Sequence, residues 1–252
     1  MNIQGSTALV TGGNRGIGEA LVRALLGAGA VRVYVGTRDL SNADHLAAEA
    51  PDRAVPVELD VTDAGQIARA AQRCRDVSIL INNAGAFTNR RLLGADDMAG
   101  ARLEMEINYF APLAMIRAFA PILGKHEKSA IANVLSAGAL AAVPGMGGYS
   151  PSKAAARMMS TCARAELAGQ NTSVTALIVG SVDTRMASHV EGFKEAPATI
   201  AKAALKAIQR GADEVDTDFM AIDVRASMAR DPKGFEMLMR RSLLGGPVKT
   251  GR

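Results

Sequence analysis

The sequence Thr7-Ala-Leu-Val-Thr-Gly-Gly-Asn-Arg-Gly-Ile-Gly18 decides the fold of this chain. A short apolar run from Thr7 to Val10 leads directly into a loop with glycines at positions 12, 13, 16 and 18. Residues 19–28 then repeat apolar side chains at helical spacing, and residues 31–35 begin a second extended segment. Strand, glycine turn, helix and strand in this order predict a β-α-β unit with a right-handed crossover.

The same alternation continues along the chain. Further strands are expected at residues 55–59, 77–81, 130–135 and 173–179, and further helices at 43–50, 64–73, 96–123, 149–167 and 198–209. The helix at 96–123 should bend near Pro112. Strands alternating with helices indicate an α/β fold, a doubly wound parallel sheet (Rossmann fold) in one domain over residues 1–252. The tail, residues 211–252, offers one short candidate strand near Val215 and helices rich in methionine.

Composition excludes several classes of protein. A chain of 252 residues with 48% apolar and 21% charged residues can fill one large core. Cys74 and Cys162 are expected to be small buried side chains in a reducing compartment, and three scattered histidines predict no metal site. The net charge of +4 is spread along the chain, which gives no support for nucleic-acid binding. No apolar run of membrane-spanning length and no signal peptide are visible, so a cytoplasmic protein without a membrane partner is expected.

The glycine loop has the form that binds a pyrophosphate. Backbone N–H groups and the positive end of the following helix face the anion in such loops. Gly12 allows a sharp turn, Gly16 a close approach to phosphate, and Gly18 close packing of helix on strand. The remaining candidate contacts in the loop are Asn14, Arg15 and Ile17. A tight turn without a ligand is the alternative interpretation.

The end of the second strand addresses the choice between the two nicotinamide dinucleotides. An acid about 20 residues after the glycine loop binds the adenosine ribose, whereas arginine there suits a 2′-phosphate. Thr37 occupies the expected acidic position and Arg38 follows it, so NADP(H) is favoured over NAD(H). Asp39 keeps NAD open, because it would be the ribose acid if the strand ended one residue later.

Two further turns follow predicted strands at the same sheet edge. Asp60 and Val61 can bracket an adenine ring, although an aspartate before a turn needs no ligand. Asn83, Ala84 and Gly85 end the fourth strand, where cofactors lie in open α/β sheets. Good turn-forming residues are the alternative explanation there too.

Tyr149 and Lys153 share one face at the start of a predicted helix. A phenol ordinarily ionises near pH ~10, and a neighbouring ammonium favours the phenolate, so such a tyrosine can exchange a proton nearer neutrality. An ordinary surface helix is the alternative.

Together these motifs resemble the short-chain dehydrogenase/reductase family over residues 7–186. The resemblance is carried by the glycine loop, Asp60, residues 82–85, Asn108, Ser136 placed thirteen residues before Tyr149, Lys153, and residues 180–184. It implies that Tyr149 is the general acid or base, that Lys153 lowers the Tyr149 pKa and binds the nicotinamide ribose, and that Ser136 binds the substrate oxygen. Asn108 would hold a water in a proton path. Gly180, Val182 and Thr184 would contact the cofactor, with Gly180 and Thr184 at the nicotinamide carboxamide.

The chain departs from the family pattern in three places. Val179 replaces a proline before Gly180, and Leu135 replaces a serine before Ser136. The tail lacks the usual glycine-rich closing strand, which puts the seventh strand, the usual tetramer contact and part of the substrate lid in doubt. Residues 181–197 are expected to form that lid.

The function expected from the resemblance is hydride transfer between NADP(H) and a ketone, aldehyde or secondary alcohol. The substrate should be a partly apolar small molecule, because the implied lining is apolar: Phe87, Leu140, Pro144, Met146, Met186 and Phe193. A homodimer or homotetramer is expected. The alternatives are an NAD-dependent alcohol dehydrogenase and a non-catalytic dinucleotide-binding regulatory protein, and the second should have lost Ser136, Tyr149 or Lys153.

Overall fold

The computed structural model describes residues 1–143 and 145–243. Its strands, in chain order, are β1 Thr7–Thr11, β2 Arg32–Thr37, β3 Ala54–Glu58, β4 Ile79–Asn82, β5 Ser129–Val134, β6 Thr172–Ile178 and β7 Glu214–Asp216. The helices are α1 Gly16–Gly27, α2 Asp44–Glu49, α3 Ala64–Arg73, α4 Ala99–Met105, α5 Ala111–Leu123, α6 Tyr149–Leu167, α7 Pro197–Arg210, α8 Phe219–Arg230 and α9 Pro232–Leu243.

The strands form one parallel sheet in the order β3-β2-β1-β4-β5-β6-β7. Val10 of β1 pairs with Val35 on one side and Ile81 on the other, so β1 and β4 are neighbours at the centre. The chain reverses its direction of travel across the sheet between them, which makes this the switch point where ligands bind in doubly wound folds. The predicted fold class is confirmed.

Helices cover both faces of the sheet. Successive strand residues point to opposite faces, so Val10 packs in a core with α1 and α7, while Leu9 packs in a second core with α3, α5 and α6. Both side chains are fully buried. Burial on two faces explains why the strands read as continuous apolar runs rather than as alternating ones.

The long helix expected at 96–123 is interrupted. A wider π-type turn at Glu106–Phe110 separates α4 from α5, and it lies just before Pro112. The predicted bend is present, but the interruption is centred on Asn108 rather than on the proline. Single π turns in helices often accompany functional side chains. The short helix expected at 43–50 is α2, and a 3-10 turn at Leu40–Ala43 precedes it.

The doubt about a seventh strand was wrong. Val215 of β7 pairs in parallel with Leu177 of β6. Glu214 accepts two hydrogen bonds from Arg157 on α6, at 2.7 and 3.0 Å, and forms an ion pair with Arg225 on α8. These side-chain contacts fix β7 in place, although it has only three residues and no glycine-rich end.

One of the two cysteines does not match its predicted environment. Cys74 is buried, and burial raises the pKa of its thiol to about 12. Cys162 is exposed instead, because it lies on the outward face of α6. Within residues 1–143 and 145–243, no helix has the length and apolar character to cross a bilayer. The same part of the chain holds no cluster of three or more metal-ligating side chains.

Replacing Asp218 with alanine should destabilise the fold by about 2–4 kcal/mol, which urea unfolding can measure. Asp218 is buried and accepts hydrogen bonds from the N–H groups of Gly180 at 2.7 Å and Ala221 at 3.0 Å. It therefore caps α8 and joins the tail to the segment after β6. Asp63→Ala is the control, since Asp63 caps α3 while exposed and should cost about 1 kcal/mol. Equal losses in the two variants would contradict a role for the Gly180 bond.

Candidate active site

The candidate site lies at the carboxyl ends of β1 and β4, where the glycine loop meets the turn after β4. Asn83 Nδ2 donates to the carbonyl oxygens of Thr11 and Gly12, at 3.0 and 3.1 Å. Thr11 Oγ1 accepts from the N–H groups of Asn83 and Ala84, at 2.9 and 3.0 Å. The Asn83 side chain therefore holds the two loops together, a role that sequence analysis did not foresee.

The glycine loop has a shape that only glycine permits. Gly12 and Gly16 have φ angles of +60° and +55°, in the left-handed region. A Cβ at Gly18 would collide with the Gly12 carbonyl oxygen, so α1 packs directly on the turn. A Cβ at Gly16 would lie 3.2 Å from Thr184 Cγ2, which brings the segment after β6 beside this loop. Because these positions carry no side chain, the backbone at the start of α1 can approach a pyrophosphate closely.

The polar residues at the end of β2 make different contacts. Thr37 is buried and its hydroxyl donates to the Asp39 carbonyl at 2.9 Å. The Asp39 carboxylate accepts from Ser41 N–H at 3.0 Å and Ser41 Oγ at 2.7 Å, so it caps the next turn. Arg38 is exposed, as is Arg15 in the glycine loop.

Asp60 behaves as a turn residue. Its Oδ1 accepts from Thr62 N–H at 2.9 Å and from Thr62 Oγ1 at 2.7 Å. Val61 is partly buried against the core on the Leu9 face of the sheet. These hydrogen bonds favour the turn interpretation of Asp60.

Ser136, Tyr149 and Lys153 come together at the end of β5. Ser136 directly follows the buried Leu135, and Tyr149 is the first residue of α6. Lys153, one turn further along α6, is 5% exposed and donates from Nζ to the Val134 carbonyl at 2.9 Å. Its Nζ lies 5.7 Å from the centroid of the Tyr149 ring.

Asn108 reaches the same region from the π-type turn. It is buried, and its Nδ2 donates to the Ala86 carbonyl at 2.9 Å and to Ser152 Oγ at 3.0 Å. Its Oδ1 accepts from Ala86 N–H at 2.9 Å. A Cβ at Gly85 would lie 3.2 Å from Asn108 Oδ1 and 3.5 Å from Lys153 Nζ, so only a glycine leaves this space open. The four candidate catalytic residues are therefore linked in pairs: Asn108 and Lys153 both lie near Gly85, Lys153 lies near the Tyr149 ring, and Ser136 hydrogen-bonds Tyr149.

Burial dominates the proton affinities in the site. Burial raises the pKa of Tyr149, the hydrogen bond with Ser136 lowers it, and the charge of Glu104 raises it. Burial also lowers the pKa of Lys153 to about 8. The expected lowering of the Tyr149 pKa by Lys153 is not the net effect here, because desolvation of the phenol outweighs the attraction of an ammonium directed at Val134.

The segment after β6 forms a loop whose two ends are hydrogen-bonded to each other. Val182 forms a parallel bridge with Glu195, and Asp183 N–H donates to the Glu195 carbonyl at 2.9 Å. Gly180 is fixed by Asp218. Of the expected apolar lining, Phe87 packs edge-on against Tyr149, Leu140 and Met146 are partly buried, Met186 and Phe193 are exposed, and Pro144 lies outside the described residues.

Several polar residues around the site were not predicted from the sequence. Glu104 and Asn133 are buried, and Asp218 comes from the tail. Glu104 stands one helical turn before Asn108, and an acid on that otherwise inward-facing stripe was the available signal. Asp218 carried none, because its contact with Gly180 joins residues far apart in sequence.

Comparison with known proteins identifies the family. The model of short chain dehydrogenases matches residues 6–195. The rhamnolipids biosynthesis 3-oxoacyl-(acyl-carrier-protein) reductase of Pseudomonas aeruginosa is 32% identical over 208 residues, covering 77% of this chain and 80% of that protein. The short chain dehydrogenase tazN of Aspergillus terreus is 34% identical over 179 residues, which are 66% of this chain but only 39% of that protein.

Solved structures agree with this result. A short chain dehydrogenase from Burkholderia cenocepacia, in complex with NADP, is 43% identical with a TM-score of 0.89, covering 95% of this chain and 99% of that one. A 3-ketoacyl-(acyl-carrier-protein) reductase from Brucella melitensis, complexed with NADH, shares the fold at 24% identity and a TM-score of 0.79, covering 85% of this chain and 98% of that one. The chain belongs to the short-chain dehydrogenase/reductase family and is an oxidoreductase of that family.

Replacing Lys153 with methionine should stabilise the unliganded protein at neutral pH, because a buried ammonium is removed. Burial lowers the Lys153 pKa from 10.5 to about 8 on folding. Below that folded value both states hold the proton, and folding bears the whole desolvation cost. Above it the folded state loses the proton first, so the cost shrinks as pH rises toward the unfolded value. The free energy of unfolding should rise by about 3 kcal/mol near pH ~7 and by much less near pH ~10.

Urea unfolding at the two pH values measures this difference. Lys202→Met is the control, because Lys202 is exposed on α7 and the same change there should alter stability little at either pH. A Lys153→Met effect that is independent of pH would show that burial of the charge is not its cause.

Proposed function

We propose that the chain is an NADP(H)-dependent oxidoreductase. It transfers a hydride between the nicotinamide and a partly apolar ketone or aldehyde, or a secondary alcohol in the reverse direction. The observation that carries this proposal is the convergence of Ser136, Tyr149 and Lys153 beside the glycine loop. The retention of all three argues against a dinucleotide-binding regulatory protein without turnover.

Tyr149 is proposed to exchange the proton of the reacting oxygen. When bound, the dinucleotide supplies or accepts the hydride at its nicotinamide ring. Tyr149 protonates the carbonyl oxygen during reduction and takes the proton back during oxidation. Ser136 donates a hydrogen bond to the same oxygen and stabilises the charge that develops there. Lys153 binds the nicotinamide ribose, and Asn108 holds the water that passes protons onward.

NADP(H) is favoured over NAD(H) by the end of β2. Asp39 is engaged in capping Ser41, which leaves Arg38 as the free charged group, with Arg15 in the glycine loop as its partner around a 2′-phosphate. The Burkholderia relative, described with NADP, supports the same choice. The proposed cofactor contacts are Gly12, Asn14, Arg15, Gly16, Ile17, Gly18, Thr37, Arg38, Asp60, Val61, Asn83, Ala84, Gly85, Tyr149, Lys153, Gly180, Val182 and Thr184.

The substrate side of the cleft is apolar. Phe87 lies against Tyr149 at 5.3 Å between ring centroids, and the proposed lid at 181–197 carries the exposed Met186 and Phe193. These side chains would cover a partly apolar carbonyl compound. Leu103, Phe110 and Met158 are exposed on the segment from α4 to α6, which supports a homodimer or homotetramer.

A panel of ketones and aldehydes with NADPH tests the reaction, read by loss of nicotinamide absorbance. The panel should include aliphatic, aromatic and alicyclic ketones, and the matching secondary alcohols should be tried with NADP. Turnover of a ketone with NADPH is the expected outcome. Absence of turnover in both directions, with dinucleotide binding retained, would favour the regulatory alternative.

Tyr149→Phe should lower turnover by about a hundredfold to ten-thousandfold while NADPH binding is kept, since the proton donor is lost and the ring is not. Turnover is measured with the best ketone of the panel, and binding by NADPH fluorescence. Tyr34→Phe is the matched control, because that phenol bonds Asp76 near the opposite end of the sheet. Near-normal turnover of Tyr149→Phe would remove the catalytic assignment.

Arg38→Ala should weaken NADPH binding about tenfold to a hundredfold and leave NADH binding nearly unchanged, because only NADPH has a 2′-phosphate. Fluorescence titration with each dinucleotide measures both affinities. Arg32→Ala is the control, since that exposed arginine lies at the other end of β2 beside Asp76. Equal losses for NADPH and NADH, or tighter wild-type binding of NADH, would support the NAD-dependent alternative instead.

A further inference from the structure

Glu104 is a buried acid beside the proposed catalytic tyrosine. It lies on α4 and is 1% exposed. Its Oε1 accepts from Thr88 N–H at 2.7 Å and from Thr88 Oγ1 at 2.9 Å. Its Oε2 is buried with no hydrogen-bond partner in the described part of the chain. Such a half-satisfied carboxylate costs stability, so its presence calls for a physical explanation.

Glu104 and Asn108 together fix the position of Phe87. Asn108 binds both backbone groups of Ala86, and Glu104 binds the backbone and hydroxyl of Thr88, so the residues on each side of Phe87 are held. The Phe87 ring lies edge-on to Tyr149, with an interplanar angle of 72°, and stacks against His189 at 5.1 Å on another side. Glu104 and Asn108, one helical turn apart, thus fix the segment whose Phe87 ring packs against Tyr149.

The free oxygen of Glu104 faces the beginning of α6. A Cβ at Gly148 would lie 3.0 Å from Oε2 and 2.8 Å from Ala101 Cα. Only a glycine before Tyr149 therefore allows α4 to bring this carboxylate so close. The positive end of α6 favours a negative charge here, which accounts for a buried oxygen without a donor.

We propose that Glu104 is a positioning residue of the active site, which fixes Phe87 against Tyr149 and places a negative charge at the start of α6 beside Tyr149. This inference rests on the proposed role of Tyr149 as the proton donor. A negative charge at that place disfavours the phenolate, so Tyr149 holds its proton to higher pH.

The charged groups near Tyr149 act on its ionisation in opposite directions. Lys153 on α6 favours the phenolate, and Glu104 on α4 opposes it. His189 lies behind Phe87 in the segment after β6. The loop at 137–148 contributes no titratable side chain. Neutralising Glu104 therefore removes one of the two influences that raise the Tyr149 pKa, and burial remains as the other.

The test is the ionisation of Tyr149 in Glu104→Gln, followed by the near-ultraviolet absorbance of tyrosinate. The chain has three tyrosines and no tryptophan, so this signal is simple. Subtracting the titration of the same protein carrying Tyr149→Phe isolates the Tyr149 component. We expect that component to shift to lower pH in Glu104→Gln. Glu106→Gln, the same change at an exposed position two residues away, should not move it.

An unshifted Tyr149 component in a folded Glu104→Gln protein would overturn the proposal, with folding checked by circular dichroism across the pH range. Glu104→Met removes the charge at similar volume and should give the same shift, so a poorly folded glutamine variant does not leave the question open. The titration needs no substrate. Failure of the Glu104 inference is therefore distinguishable from failure of the proposed reaction, which Tyr149→Phe kinetics decides.

Kinetics separates the positioning role from the charge. Glutamine keeps an oxygen that can accept from Thr88, whereas alanine does not. With the best ketone of the panel and NADPH, Glu104→Ala should raise KM about tenfold more than Glu104→Gln does, because Phe87 is no longer held. Equal KM values in the two variants would contradict the positioning role.

Discussion

The direct contact between α1 and the turn after β1 is the constraint on which the rest of the structure depends. No side chain can stand at Gly18, because a Cβ there would meet the Gly12 carbonyl oxygen. The helix can therefore begin at the sheet edge with its N–H groups open, and Asn83 fastens the neighbouring strand end to the same loop. This packing places the candidate site at the switch point of the sheet, where the glycine loop meets the turn after β4.

Around the reacting groups, the protein uses burial more than direct charge pairing. Lys153 directs its ammonium at the Val134 carbonyl, and the partly buried Tyr149 packs against the Phe87 ring. Burial disfavours the charged form of both groups, so it raises the pKa of Tyr149 and lowers the pKa of Lys153 to about 8. Binding of an anionic, hydroxyl-bearing dinucleotide beside Lys153 would supply the partners that the lysine lacks. An active site that is costly to fold in this way is a common compromise between stability and activity.

The tail contributes to the site despite its departure from the family pattern. Three residues suffice for β7 because Arg157 and Arg225 fasten Glu214 from two helices. The next turn places Asp218 under Gly180, where it holds the segment proposed to meet the nicotinamide. A hydrogen bond from the Gly180 N–H to a distant aspartate thus restrains the backbone next to position 179, where the family pattern has a proline.

The order of strands and helices could be predicted from the sequence. The glycine loop and the set of Ser136, Tyr149 and Lys153 could also be recognised in it. Each depends on local rules: periodicity, the conformations open to glycine, and the placement of strand ends at one sheet edge. The bounds of α3 and α6 were predicted to the residue because polar caps or glycine turns mark their starts. Whether β7 forms, and which residues Glu104 and Asp218 contact, could not be predicted. Those outcomes depend on contacts between residues distant in sequence, and only the packing of α4 on α6 and of the tail on β6 brings such residues together.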